Sequence, residues 1–145
     1  NIIGQLIFFV IVVAIFMILG LRNLIFVNNK VKNDVPKADK LEIYYFYANQ
    51  RCDVCIALED FIKETINEYF SEELQEGIIK FESVNIDLPE NGEIVSKYQA
   101  HGGALYINSI YDNEDHIQKE DNAWSYMNNK SELKDYLSNK IKFSP

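Results

Sequence analysis

Cys52-Asp53-Val54-Cys55 holds both cysteines of the chain, and it stands where an apolar run, Leu41 to Ala48, gives way to a helical pattern. That spacing puts a dithiol at a helix N-terminus. There the unsatisfied backbone N–H groups and the helix dipole favour a thiolate, which lowers a cysteine's pKa and makes it a usable nucleophile near neutral pH. A single CxxC beside a strand and a helix reads as redox chemistry before metal chemistry.

The competing chemistry is soft-metal or arsenite binding. Cys52, Cys55 and His101 would supply three ligands suited to Zn²⁺, Cu⁺ or arsenite, if the loop before Ala104 lies opposite the CxxC. A structural zinc site needs four ligands, and no second CxxC or histidine pair completes it, so no metal is assigned. His101 reads as a polar loop residue and His116 as part of a hairpin. The acidic groups Glu72-Glu73 and Asp112 with Glu114-Asp115 read as solvated helix-end and turn residues. No flavin, nicotinamide or haem motif is present, so no cofactor is expected.

A second alternative is a non-catalytic, membrane-tethered interaction subunit with a purely structural Cys52–Cys55 bridge. A disulfide closing so short a loop adds little stability through chain entropy, which leaves that role poorly motivated.

The chain's 145 residues and formal net charge of -8 bound the remaining possibilities. One folded domain is expected once a membrane segment is set aside. Nucleic acid is excluded as a partner, because phosphate neutralisation needs clustered Lys and Arg, and no basic stripe occurs. Ile2 to Leu21 is apolar except for Gln5 and two glycines, and carries no charge. About twenty residues at a rise of about 1.5 Å span a bilayer core of roughly 30 Å, longer than the apolar region of a signal peptide. Residues 1–22 are therefore read as a transmembrane anchor, 23–40 as a polar linker interrupted by Pro36, and 41–145 as the folded domain. Arg22, Lys30 and Lys32 follow the span and taken alone favour a cytoplasmic flank. The chain opens on Asn1 rather than Met, so the charge count across the span is read as one-sided, and an extracytoplasmic domain is the expectation.

The elements that must position the dithiol follow from periodicity. Leu41–Ala48 is β-branched and aromatic, a central strand. Asp53–Gln75 is helical, with Val54, Leu58, Phe61, Ile62, Ile66, Tyr69 and Phe70 facing the core and Glu59, Lys63, Glu64, Asn67 and Glu68 facing water. Gly77 stops that helix, and Ile78–Ile86 is a second strand. After a turn at Asp87–Asn91, a second helix presents Ile94, Val95 and Tyr98 and ends near Gly102-Gly103. Ala104–Tyr111 is a strand, Asp112–Asp115 a turn, and His116–Lys119 a short returning strand. A last helix begins near Ser131, with Leu133, Tyr136, Leu137 and Ile141 as its apolar stripe.

This βαβαββα order, with CxxC at the end of the first strand, resembles the thioredoxin superfamily over residues 41 to 143. The resemblance implies an α/β thioredoxin-like fold, a mixed central sheet flanked by helices, here preceded by one N-terminal transmembrane helix. Within that superfamily, Tyr44-Tyr45-Phe46-Tyr47-Ala48-Asn49-Gln50-Arg51-Cys52-Asp53-Val54-Cys55 is similar to the ArsF-type proteins, thioredoxin-like subunits of a nitrophenyl-compound nitroreductase. Phe81-Glu82-Ser83-Val84-Asn85-Ile86-Asp87-Leu88-Pro89-Glu90-Asn91 and the Trp124 segment carry the same likeness. The resemblance implies Cys52 as attacking thiolate and Cys55 as resolving thiol, protein thiols and disulfides as partners, and a bacterial source. If nitro reduction is involved, a separate cofactor-bearing reductase is required, because a dithiol has no means of activating a nitro group. Arg51, immediately before Cys52, either stabilises the thiolate or is a solvated surface charge.

Departures from the thioredoxin pattern accompany the match. Asp53-Val54 replaces the usual Gly-Pro, and Arg51 the usual tryptophan. Phe46 stands six residues before Cys52, where thioredoxins keep a buried acid, and Ala104 falls where they keep a cis-proline. A cis bond before a non-proline costs about 2.5–4 kcal/mol, so Gly103–Ala104 is expected to be trans. Gly103 and Ala104 are the expected substrate-docking backbone. The sequence thus reads as a membrane-anchored thiol–disulfide oxidoreductase or electron relay.

Overall fold

The structure, a computed structural model, describes residues 38–142 and 144. The anchor and most of the linker expected within residues 1–40 lie outside the described residues. Among the described residues no helix is long and apolar enough to cross a membrane.

β1 (Lys40–Tyr47) occupies the middle of a four-stranded sheet of order β2-β1-β3-β4. It pairs in parallel with β2 (Ile79–Asn85) and antiparallel with β3 (Ala104–Tyr111), which in turn pairs antiparallel with β4 (Glu114–Lys119). A strand flanked on both sides, with helices over both faces, has no solvent face to serve. This accounts for the near-continuous apolar and aromatic composition of β1. The βαβαββα order agrees with expectation, and so does the central place of the Tyr44–Tyr47 stretch. β4 begins two residues earlier than expected, because Asp112 and Asn113 alone take up the positive φ that closes the hairpin.

Alternation along β1 divides the core in two. Leu41, Ile43 and Tyr45 face one cluster with Leu58, Ile62 and Ile66 of α1 (Asp53–Tyr69) and Leu133, Leu137 and Ile141 of α4 (Lys130–Lys142). Tyr44 and Phe46 face the other, with Val84, Ala104, Tyr106 and Tyr98, the last residue of α3 (Gly92–Tyr98). Each fully buried Leu or Ile contributes about 1.5–3 kcal/mol of transfer free energy, so the two triads of α1 and α4 are what hold those helices to the sheet.

The first helix is shorter than its apolar pattern. It stops at Tyr69, and a separate turn, α2 (Ser71–Gln75), follows across Phe70, whose φ of -137° leaves the helical region. Seventeen residues at about 1.5 Å make a helix of about 26 Å, the length of an eight-residue strand at about 3.3 Å per residue. A helix continued straight to Gln75 would overshoot the sheet. The break lets Phe70 bury beside Ile79 and turns the chain toward β2 through Gly77, at φ 73°. Two residues assigned to the buried face are instead exposed: Val54, beside the cysteines, and Tyr69, at the helix end. Glu59, assigned to the water face, is buried.

Candidate functional site: the Cys52–Cys55 turn

The loop after β1 carries the dithiol and is tied to the end of β2. Asn49 N–H donates to Asp87 Oδ2 at 2.7 Å, and Asn85 Nδ2 donates to Asn49 Oδ1 at 2.8 Å. Cys52 then caps α1 in extended backbone, its Sγ accepting the Cys55 N–H at 3.1 Å. A sulfur at the N-cap takes one of the helix's unpartnered N–H groups, which is the arrangement that stabilises a thiolate there. Cys52 and Cys55 are joined as a disulfide, with sulfurs 2.13 Å apart. Cys52 is exposed and Cys55 half-buried, so an incoming group meets Cys52 first.

Beneath this turn lies a polar cluster between α1 and the sheet. Tyr45, fully buried on β1, donates its hydroxyl to the Cys55 carbonyl at 2.9 Å. Burial pushes the Tyr45 phenol above its usual range, and the nearby Arg51 charge opposes this. The expectation that Phe46 takes the place of thioredoxin's buried acid is therefore revised. Phe46 belongs to the opposite core cluster, and Tyr45, one residue earlier, is the side chain under Cys55. The period-two alternation of a strand makes a one-residue difference decisive.

Arg51 is not a solvated charge. Its side chain is 22% exposed; it pairs with Glu59, and its guanidinium lies 4.3 Å from the centre of the Tyr47 ring. Glu59 is 5% exposed and also accepts from Lys63 Nζ at 2.5 Å and from Ser83 Oγ at 2.6 Å. Burial alone would raise the Glu59 carboxyl, but hydrogen bonds from Lys63, Ser83 and Arg51 bring it below the ordinary glutamate value. Arg51 shows the mirror case: burial would lower it, but Glu59 raises it. At neutral pH the site beneath the dithiol therefore holds an ionised pair.

The loop before β3 closes over the same place. A Cβ added at Gly103 would sit 3.5 Å from the Tyr45 hydroxyl and 3.7 Å from the Trp124 ring. Since that hydroxyl also holds Cys55, Gly103 is brought to the dithiol's side of the sheet. Ala104 opens β3, buried and opposite Phe46, and the Gly103–Ala104 bond is trans, as are all peptide bonds among the described residues. His101 lies exposed in this loop. Among the described residues no three His, Cys, Asp or Glu side chains converge as a metal-holding group. His116 sits on β4, stacked on Tyr111.

Two site residues escaped the sequence reading. Tyr45 was read only as strand core. Glu59 carried a faint signal, since it lies three residues before Ile62 and four after Cys55, at the margin of the buried stripe.

The sheet order, the helices on both faces and a CxxC capping the helix after the first strand define a thioredoxin-like fold. No protein-family signature matches the chain, and no curated protein does. Among solved structures, human ERp44 in its zinc-bound form aligns at a TM-score of 0.50 and 17% identity, over 75% of this chain and 29% of that one. A thioredoxin from Thermus thermophilus aligns at 0.48 and 16%, over 72% of this chain and 75% of that one. A thioredoxin from Fasciola hepatica aligns at 0.42 and 17%, over 74% and 88%. At these identities the likeness is one of fold.

Proposed function

We propose that this chain is a thiol–disulfide oxidoreductase, or an electron relay of the same chemistry, tethered to a membrane by residues 1–22 with its domain on the extracytoplasmic side. One observation carries the reading: an exposed Cys52, bonded to a half-buried Cys55, caps the first helix of a thioredoxin-like fold. In the reducing direction the Cys52 thiolate attacks a substrate disulfide. A Cys52–substrate sulfur bond forms, the substrate's own S–S bond breaks, and the departing sulfur leaves as thiolate and takes a proton from solvent. Cys55 then loses its proton to water and attacks the Cys52 sulfur. The intramolecular disulfide re-forms and the substrate leaves as a dithiol, two electrons richer. A partner dithiol restores the reduced state by the reverse exchange.

In this reading Arg51 tunes the dithiol from below, and the exposed backbone at Gly103, leading into Ala104, receives an extended substrate segment. The likeness to ArsF-type subunits supports a finer assignment, electron delivery to a cofactor-bearing reductase that itself activates the nitro group. The test uses the full chain in detergent micelles, pre-reduced and offered a disulfide-bonded protein. Cys52→Ser is expected to abolish exchange, and Cys55→Ser to accumulate a mixed disulfide visible by mass spectrometry. An unchanged rate in Cys52→Ser overturns the redox reading. Recovery of the full chain, but not of one lacking residues 1–22, in a carbonate-washed membrane fraction tests the tether.

A further inference from the structure

The buried pair beneath the dithiol is larger than packing requires. Glu59 occupies a position that an apolar residue could fill, yet it is 5% exposed and gathers donors from three elements. These are Arg51 from the loop, Lys63 from its own helix and Ser83 from β2. Arg51 is the residue next to Cys52, and its charge acts on the same Tyr45 hydroxyl that holds the Cys55 carbonyl. Its guanidinium is therefore fixed on the inner side of the CxxC turn, between Glu59 and the Tyr47 ring. Arg51 Nε is buried without a partner, so the side chain is held there by its Glu59 contact and its stacking rather than by a full set of bonds.

We propose that Glu59 is a positioning residue for the dithiol: it anchors Arg51 under the CxxC turn and opposes its charge, and so sets how stable the Cys52 thiolate is. The inference rests on the redox reading above and extends it to a residue seven positions beyond Cys52. A cation near a thiolate favours the reduced form, and a buried anion disfavours it. With the cluster intact the Glu59 carboxylate offsets part of the charge of Arg51 and Lys63, and the helix N-terminus and the exposed Asp53 carboxylate supply the remaining field.

The test equilibrates wild type, Glu59→Gln, Arg51→Met and the double variant, as full chains, in glutathione buffers at pH 8. Free thiols are counted by alkylation and mass spectrometry, and the pH dependence of Cys52 alkylation is followed in the reduced proteins. Glu59→Gln leaves Arg51 unopposed and is expected to shift the equilibrium toward the dithiol by up to about tenfold, a rise of about 30 mV for this two-electron couple. Its Cys52 titration moves to lower pH. Arg51→Met leaves Glu59 balanced by Lys63 alone, takes one cation from beneath the turn and shifts both readouts the opposite way, with the double variant between the two. A merely structural role would move both single variants in the same direction or in neither, and either result overturns the inference. Should Glu59→Gln fail to fold, Lys63→Met keeps the anion, removes a cation and must shift toward the disulfide, by less than Arg51→Met because Lys63 is more exposed. A wild type that does not cycle at all refutes the redox reading itself, whereas a cycling wild type with unmoved variants refutes only the role of Glu59.

Discussion

Replacing Tyr45 by Phe removes one hydroxyl and nothing else, which isolates the contact between β1 and the dithiol. The Tyr45 ring is fully buried and Phe fills the same space, so no cavity term enters. The hydroxyl donates to the Cys55 carbonyl at 2.9 Å. That carbonyl still receives the helical N–H four residues on, so it is not orphaned. The expected cost is then that of one net hydrogen bond, about 1 kcal/mol, or about 4–8 °C in Tm for a domain of this size. Urea melts followed by far-UV circular dichroism, run on the oxidised and the reduced protein, measure it. Because the acceptor is backbone rather than sulfur, the loss should be about equal in both redox states. No loss in either state would mean that the hydroxyl does not secure the CxxC turn. A loss above about 3 kcal/mol would mean that the ring itself repacks, and the geometry argued from Tyr45 would fall.

Gly103→Ala should fold normally, since its Cβ meets Tyr45 and Trp124 only at ordinary contact distance, while Gly103→Trp should slow exchange with a protein disulfide far more than with oxidised dithiothreitol; equal slowing would count against substrate docking at this loop. Glu59 gives the stability curve an acid limb. Its folded pKa lies below the unfolded value of about 4.3, so its contribution is full above about pH 5 and is lost as pH falls through the folded value. Wild type should therefore lose more stability than Glu59→Gln between pH 5 and about pH 3, and parallel losses in urea titrations would contradict the pairing. Gly77→Ala should cost about 1–2 kcal/mol although nothing crowds its Cβ, because φ is 73° there; a thermal melt matching wild type would refute that backbone cost.

Periodicity carries the fold well here, because each element solves a local problem: an apolar strand for the sheet centre, apolar stripes for α1 and α4. The break at Phe70 is less legible, since it answers to the length of the sheet rather than to any residue at the break. Phe70 itself continues the apolar stripe without interruption. Glu59 shows a different limit. A glutamate inside a helical pattern is assigned to water unless its partners are known, and those partners are Arg51 in a loop and Ser83 on a strand 24 residues away. The Cys52–Cys55 pair needed no such knowledge, because its spacing and its place before a helix are local facts. Phe46 and Tyr45 show the cost of counting backward from the cysteines: the loop that Asn49 ties to β2 sets the offset, and its length is not a property of the strand.

The division of labour along β1 separates the CxxC turn from the contacts that hold the first helix to the sheet. The disulfide closes a very short loop, which is worth about 2 kcal/mol by chain entropy and is confined to the first turn of α1. The helix is held elsewhere, by Leu58, Ile62 and Ile66 against Leu41, Ile43, Leu105 and Ile107. Three such side chains outweigh the bridge several-fold. Opening the disulfide therefore removes a small, local constraint, while the Tyr45 bond to the Cys55 carbonyl and the Cys52 cap on the Cys55 N–H do not pass through the S–S bond. Reduction is accordingly expected to leave the far-UV spectrum unchanged and to lower the urea midpoint only by the equivalent of about 2 kcal/mol. Loss of cooperative unfolding in the reduced protein would show that the bridge, and not the Leu58–Ile66 face, holds α1 to the sheet.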